Sequence, residues 1–187
     1  MDLSRDFVSR GAVEIAEFPI DLRAALLGAL SCGQGVESIV CLHAPRRMRR
    51  HNLVFNFPRA QYAKLDRGET PESVNAQYLT LATAAYANPA QETVTGEAMR
   101  VAASTRAVDP ANPNNSVVRF ILDVGQFVGT WNTAILIGGA ATATPGTGKI
   151  VAAVNDLKDD TGAPVSRDGT TLHLVSWKLR HIDASEV

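Results

Sequence analysis

Apolar and polar positions along this chain switch between two periods. In "AVEIAEF" (12–18) apolar residues partly alternate with polar ones, which predicts a strand. "IDLRAALLGAL" (20–30) instead sets Leu22, Leu26 and Leu30 on one stripe, the spacing of an amphipathic helix, with Asp21 as cap and Gly33 as stop. "VESIVCLHA" and "HNLVFNF" predict two short strands, a hairpin with "PRRMRR" at its tip. Thr70, Pro71 and Glu72 form a helix-start signal, and Val74, Tyr78, Leu81 and Ala85 follow at helical spacing. "NPAQE" restarts the pattern at Asn88, continued by Val94, Ala98, Val101 and Thr105. "DPANPNN" (109–115) is loop-forming by composition.

A third helical register runs from Ser116 through Val117, Ile121, Val124, Val128, Trp131 and Ile135. A buried strand interrupted by Gly125 and Gly129 accounts for the same run, since periodicity alone does not separate the two. Its apolar residues, among them Phe120, Phe127 and Leu136, fill more than one helical face. That leads to the expectation of a central helix near a subunit interface. "TGKIVAAVNDLKDD" (147–160) predicts a fourth helix with Ile150, Val154 and Leu157 on one face. "TTLHLVSWKLRHI" (170–182) predicts a strand from its β-branched and aromatic content. The sum is an α+β fold, predominantly α: a bundle of about four long helices with a small antiparallel sheet.

At 187 residues, 45% of them hydrophobic and 20% charged, the chain suits one domain spanning 1–187. Two cysteines are too few for a disulfide framework, and no signal peptide or apolar span of membrane length is present. These features point to a chain with no membrane partner, intracellular or part of a virion. Net charge is −1, but it is unevenly placed. Segment 43–67 carries seven basic residues against Asp66, a net +6, which leaves −7 on the remainder.

That basic segment is the leading candidate site. "RRMRRHNLVFNFPRAQY" interleaves Arg46, Arg47, Arg49, Arg50 and Arg59 with Phe55, Phe57 and Tyr62. Guanidinium groups match phosphate with a fork of donors, and aromatic faces stack on unpaired bases. "RHNLVFNF" does not fit the RNA-recognition octamer, so the expectation rests on charge and composition.

Other chemistry is weaker. "PGTGK" (145–149) resembles the phosphate loop of AAA-type ATPases. However, Ala143 stands at the first glycine position and Ile150 at the magnesium-binding hydroxyl, so no nucleotide hydrolysis is expected. Cys32, Cys41, His43 and His51 do not have zinc-site spacing, and no cofactor or metal is implied. His173 and His181 lie on a segment that reads as exposed, and Asp159 and Asp160 read as solvated surface. No G-x-S-x-G or H-E-x-x-H motif occurs.

The resulting expectation is a non-enzymatic structural protein that assembles with copies of itself and binds nucleic acid, most simply single-stranded RNA. A viral or phage coat protein is the concrete version, by fold-level analogy with helical rod-shaped coats. The alternative is a small soluble enzyme or ligand-binding protein whose site is built from scattered residues.

Overall fold

The structure is a computed structural model that describes residues 8–32, 50–51, 53–72, 74–109, 112–159 and 161–182. Among these residues there are twelve strands and only two α-helices. The first sheet has the order β2–β1–β12–β7–β6, where β1 is Val8–Phe18, β2 Arg50–His51, β6 Thr105–Asp109, β7 Asn112–Leu122 and β12 Leu172–Ile182. The second has the order β3–β10–β9–β4–β5: β3 is Leu53–Val54, β4 Tyr78–Ala82, β5 Val101–Ala102, β9 Thr133–Gly138 and β10 Lys149–Val154. A small third sheet pairs β8 (Gly129–Trp131) with β11 (Val165–Arg167). Every ladder is antiparallel.

One apolar core lies between the two large sheets. Val13, Ile15, Val118, Phe120, Leu122, Val175 and Trp177 enter it from the first sheet; Leu79, Leu81, Ala134, Leu136, Val151, Ala152 and Val154 enter it from the second. This is sandwich packing, with inner-face side chains of both sheets interdigitated. The chain changes sheet between β2 and β3, between β5 and β6, and twice more by way of β8 and β11. At the second corner Ala103 N–H donates to Gln77 C=O, and Ser104 N–H to Arg119 C=O.

The outer faces are covered as well. Helix α1 (Arg23–Cys32) follows a 3-10 turn at Ile20–Leu22 and lays Leu26 and Leu30 on Ala16, Phe18, Ile121, Leu172 and Leu174. Its Arg23 clasps Asp123 with two donors, Nη2 at 2.7 Å and Nε at 3.0 Å. That hydrogen-bonded pair holds the Asp123 carboxyl below its ordinary pKa. Its contribution is therefore present above the ordinary carboxylate value and is lost as pH falls through the lowered one. On the opposite side Phe55 and Tyr86 cover Ile135, Ile137, Ile150 and Ala153. Asn155 fixes this cover, accepting from Tyr86 N–H and donating to Tyr86 C=O, each at 2.8 Å.

The predicted helical bundle is thus replaced by a β-sandwich, and each correction has a local cause. Helix 20–30 and the strands at 12–18 and 170–182 are present, in the form of α1, β1 and β12. The stretch around Tyr78 is instead β4, with Leu79 and Leu81 both turned into the central core. Asn88 closes one turn, its Oδ1 accepting from Ala90 N–H. No helix follows: Thr93, Val94, Thr95 and Gly96 are weak helix formers in sequence. Run 117–137 is β7, a reversal and then β8 and β9, as the strand alternative required. Gly125 sits at φ 76°, in the left-handed region that reversals demand.

The predicted fourth helix is β10. Its register shifts between Ile150 and Ala152, so Val151 and Ala152 both serve the inner core while Ile150 and Ala153 serve the outer one. The extra residue breaks the two-residue period. Phe120 and Leu136 are buried between the sheets, and Ile121 and Ile135 beneath the outer covers, so the expected helical subunit interface is withdrawn. The rod-shaped-coat analogy goes with the bundle, and coat or capsid membership has no support in this fold. Segment 36–44 lies outside the described residues, whereas 51–57 splits into strand residues followed by helix α2 (Asn56–Asp66).

Phe120→Ala, in the central core, is expected to lower unfolding free energy by about 3–5 kcal/mol. Val128→Ala, at a residue 56% exposed, should change it by no more than about 0.5 kcal/mol. Urea titrations followed by far-UV circular dichroism compare the two, and equal effects would contradict the described core.

Candidate nucleic-acid interface

Three of the five sequence-predicted phosphate-binding residues, Arg46, Arg47 and Arg49, lie outside the described residues. Arg50 and His51 form β2 on the edge of the first sheet, in register with Val13 and Ala12 of β1. Arg59 is exposed on α2, whose neighbour is β10 of the second sheet. Two of the aromatic residues interleaved with the arginines, Phe55 and Phe57, have a different job. Phe55 is fully buried, and Phe57 packs against the central core with its ring near Gly139. Neither is free to stack on a base.

Strand pairing brings in cations that are distant in sequence. β1 and β12 run antiparallel over eleven register pairs, with Arg10 opposite Arg180 and Ala12 opposite Lys178. His51 is also opposite Ala12, so β2, β1 and β12 place His51, Ala12 and Lys178 on one rung. Arg10 and Arg180 form the rung two residues along, about 7 Å away at normal strand rise. Stretches 8–13 and 177–182 contain no acidic residue. The nearest acid on β1 is Glu14, buried on the rung of Ser176 and Arg119. Read separately, "SRGAV" and "WKLRHI" are ordinary strand ends; only the ladder adds their charges together.

The phosphate-loop resemblance ends in an internal carboxylate. Gly146 N–H donates to Glu97 Oε2 at 2.8 Å, so a glutamate occupies the anion position. Glu97 also forms a bidentate pair with Arg100, and the two side chains are only 1% and 2% exposed. Arg100 Nη1 donates to the carbonyls of Thr142 and Thr147 at 2.9 and 3.1 Å, and its guanidinium lies 5.4 Å from the Tyr78 ring centroid. The loop is thereby wrapped around a buried ion pair. Gly148, at φ 77°, has no room for a Cβ, which would sit 2.5 Å from Ala141 Cβ. Strand β10 follows where a phosphate site needs a helix N-terminus. Lys149 is paired with Glu92.

Comparison with protein-family models, curated proteins and solved structures finds no match to this chain.

The remaining candidates are placed as follows. Cys32 is exposed at the end of α1, while Cys41 and His43 lie outside the described residues. Among the described residues no three His, Cys, Asp or Glu side chains gather as metal ligands. His173, expected to be exposed, is buried, with Nε2 4.0 Å from Glu17 Oε2. Asp159 folds its own loop, its Oδ1 accepting from Thr161 and Ala163 N–H. Arg167 is buried too, and desolvation pushes its pKa down against the opposing pull of Glu17, Asp168 and Asp123. It donates to the carbonyls of Gln126 and Asp123, a structural clamp on the reversal before β8.

Arg100→Met leaves Glu97 buried without its counter-charge and is expected to cost about 3–5 kcal/mol in urea unfolding. Lys149→Ala removes only a partly exposed pair, which is worth up to about 1 kcal/mol. If Lys149→Ala abolished a magnesium-dependent ATP signal in calorimetry, the structural reading of this loop would be wrong.

Proposed function

We propose that this protein binds nucleic acid without catalysis, through phosphate contacts at the cationic ends of its first sheet. The observation that carries the proposal is the placement of Arg10, His51, Lys178 and Arg180 on adjoining ladder positions of one sheet face, with Arg46, Arg47, Arg49 and Arg50 preceding or opening β2 in sequence. Phosphate is the polymer group that a cluster of guanidinium and ammonium groups recognises best. Because Phe55 and Phe57 serve the core, base stacking adds nothing from them, and the expected binding is insensitive to sequence. The single-strand preference anticipated from those aromatics is therefore dropped from the proposal.

Binding of fluorescent oligonucleotides across a salt series tests this. The triple variant Arg10→Gln, Lys178→Gln, Arg180→Gln should weaken binding, as should the quadruple variant with glutamine at 46, 47, 49 and 50. Each should flatten the slope of log K against log salt by roughly 0.7–0.9 for every phosphate that the variant no longer neutralises. Oligonucleotides of different sequence should bind alike. Retention of the parental affinity and slope by both variants would rule the interface out.

A further inference from the structure

We infer that the cleft beside β4 binds a short extended peptide carrying an apolar anchor side chain. This rests on observations separate from the cationic strand ends. Strand β4 has β9 beside it from Tyr78 to Ala82, but β5 beside it only at Tyr78 and Leu79. Gln77 C=O accepts from Ala103 N–H on the β5 side, and Ala82 C=O accepts from Asn132 N–H on the β9 side. Main-chain groups alternate along an antiparallel strand, so the N–H and C=O of Leu81 turn to the side that β5 has left. At Thr80 the side-chain hydroxyl still holds the Met99 carbonyl, at 2.6 Å. Beyond that hydrogen bond opens a cleft of ≈ 330 Å³.

The walls define what fits. Residues 81–84 form one side and 94–99 the other, with Phe127, Val128 and Trp131 completing the lining. The large polar side chains there are already engaged, and Thr83 and Thr95 add only neutral hydroxyls. Tyr86 Oη accepts from Thr95 N–H at 3.0 Å, Trp131 Nε1 donates to Phe127 C=O at 2.6 Å, and Glu97 is bound by Arg100. An ionic ligand therefore finds no counter-charge among these groups. The main-chain edge of β4 offers both a donor and an acceptor, and a segment with its own N–H and C=O satisfies them by strand addition. An apolar side chain of that segment meets the Phe127–Trp131 pair, set edge to face with centroids 5.8 Å apart. Phe127 is held at φ 50°, a conformation that non-glycine residues adopt sparingly. The volume is at the small end for a ligand site, sized for one large side chain and the peptide groups flanking it.

The test is a titration of ¹⁵N-labelled protein with N-acetyl-L-phenylalanine N-methylamide, followed at the Leu81 amide and the Trp131 indole. Saturable shifts at both are expected, with binding about fivefold weaker for the methyl ester, which keeps the acetamide N–H but lacks the C-terminal one. Ala98→Trp, a substitution at an exposed cleft residue, should abolish the shifts while the far-UV spectrum is unchanged. Val128→Glu, at the exposed mouth, provides a second blocking variant. No saturable shift, equal affinity for amide and ester, or undiminished binding in both variants would overturn the inference. Nucleic-acid binding by the same Ala98→Trp protein is expected to stay at the parental level, which keeps the two sites experimentally separate.

Discussion

Burial of the central strands on both faces is the constraint from which the rest of this structure follows. All six residues of β9 are buried, and so are residues 172–177 of β12. Packing the two sheets together accounts for only one face of each. The other faces oblige α1 to lie across Phe18 and Leu174, and oblige Phe55 and Tyr86 to close over Ile135 and Ile137. A fully buried Leu, Ile or Phe contributes about 1.5–3 kcal/mol. An exposed pair such as Arg23–Asp123 adds little beside that. Apolar burial therefore decides where α1 sits, and the ion pair selects its orientation. The buried Arg100–Glu97 and Arg167 clusters serve the same end. They tie loops to the sandwich through carbonyls that would otherwise be left without donors.

The same constraint explains what was legible in the sequence. Strand β1 was readable because Glu14 and Glu17 interrupt its apolar residues, and α1 because one face of it stays wet. Strands β7, β9 and β10 have apolar residues on both faces, so their two-residue period vanishes, and any apolar run then contains helical spacings by chance. In β10 the register shift at Val151 made matters worse by removing what alternation was left. The cap-like residues at Thr70–Glu72 and Asn88–Pro89 read as helix starts, but among the described residues no helix follows either of them. Whether a helix follows depends on tertiary partners rather than on the cap.

The site was less legible than the fold, and for a different reason. The excess of charge in segment 43–67 is a property of sequence, whereas the placement of Arg10 beside Arg180 is a property of a ladder closed by residues at opposite ends of the chain. No window along the sequence contains both. The aromatic residues illustrate the converse error. Phe55 and Phe57 stand next to arginines in the sequence, yet their rings go to the cores on which the two-sided packing depends. The glycine-rich loop shows how a motif fragment can retain one physical property and lose the function. Gly146 still offers a main-chain donor to an anion, but Glu97 supplies that anion from within.

A sandwich of this kind has few places left for a partner. The chain crosses between the two large sheets four times, through β2–β3, β5–β6, β7–β9 and β10–β12. Their outer faces carry α1 on one side and Phe55 with Tyr86 on the other. What remains is of two kinds. One is the strand ends, where main-chain pairing runs out and the side chains of the terminal rungs determine the chemistry. The other is the stretch of β4 that β5 is too short to cover. The first kind is cationic here, which suits a phosphate polymer. The second is aromatic and lacks free charge, which suits a peptide. The opposite chemistry of the two positions argues against a single extended ligand spanning both: a polyanion gains nothing from the cleft, and an apolar peptide gains nothing from Arg10 and Arg180.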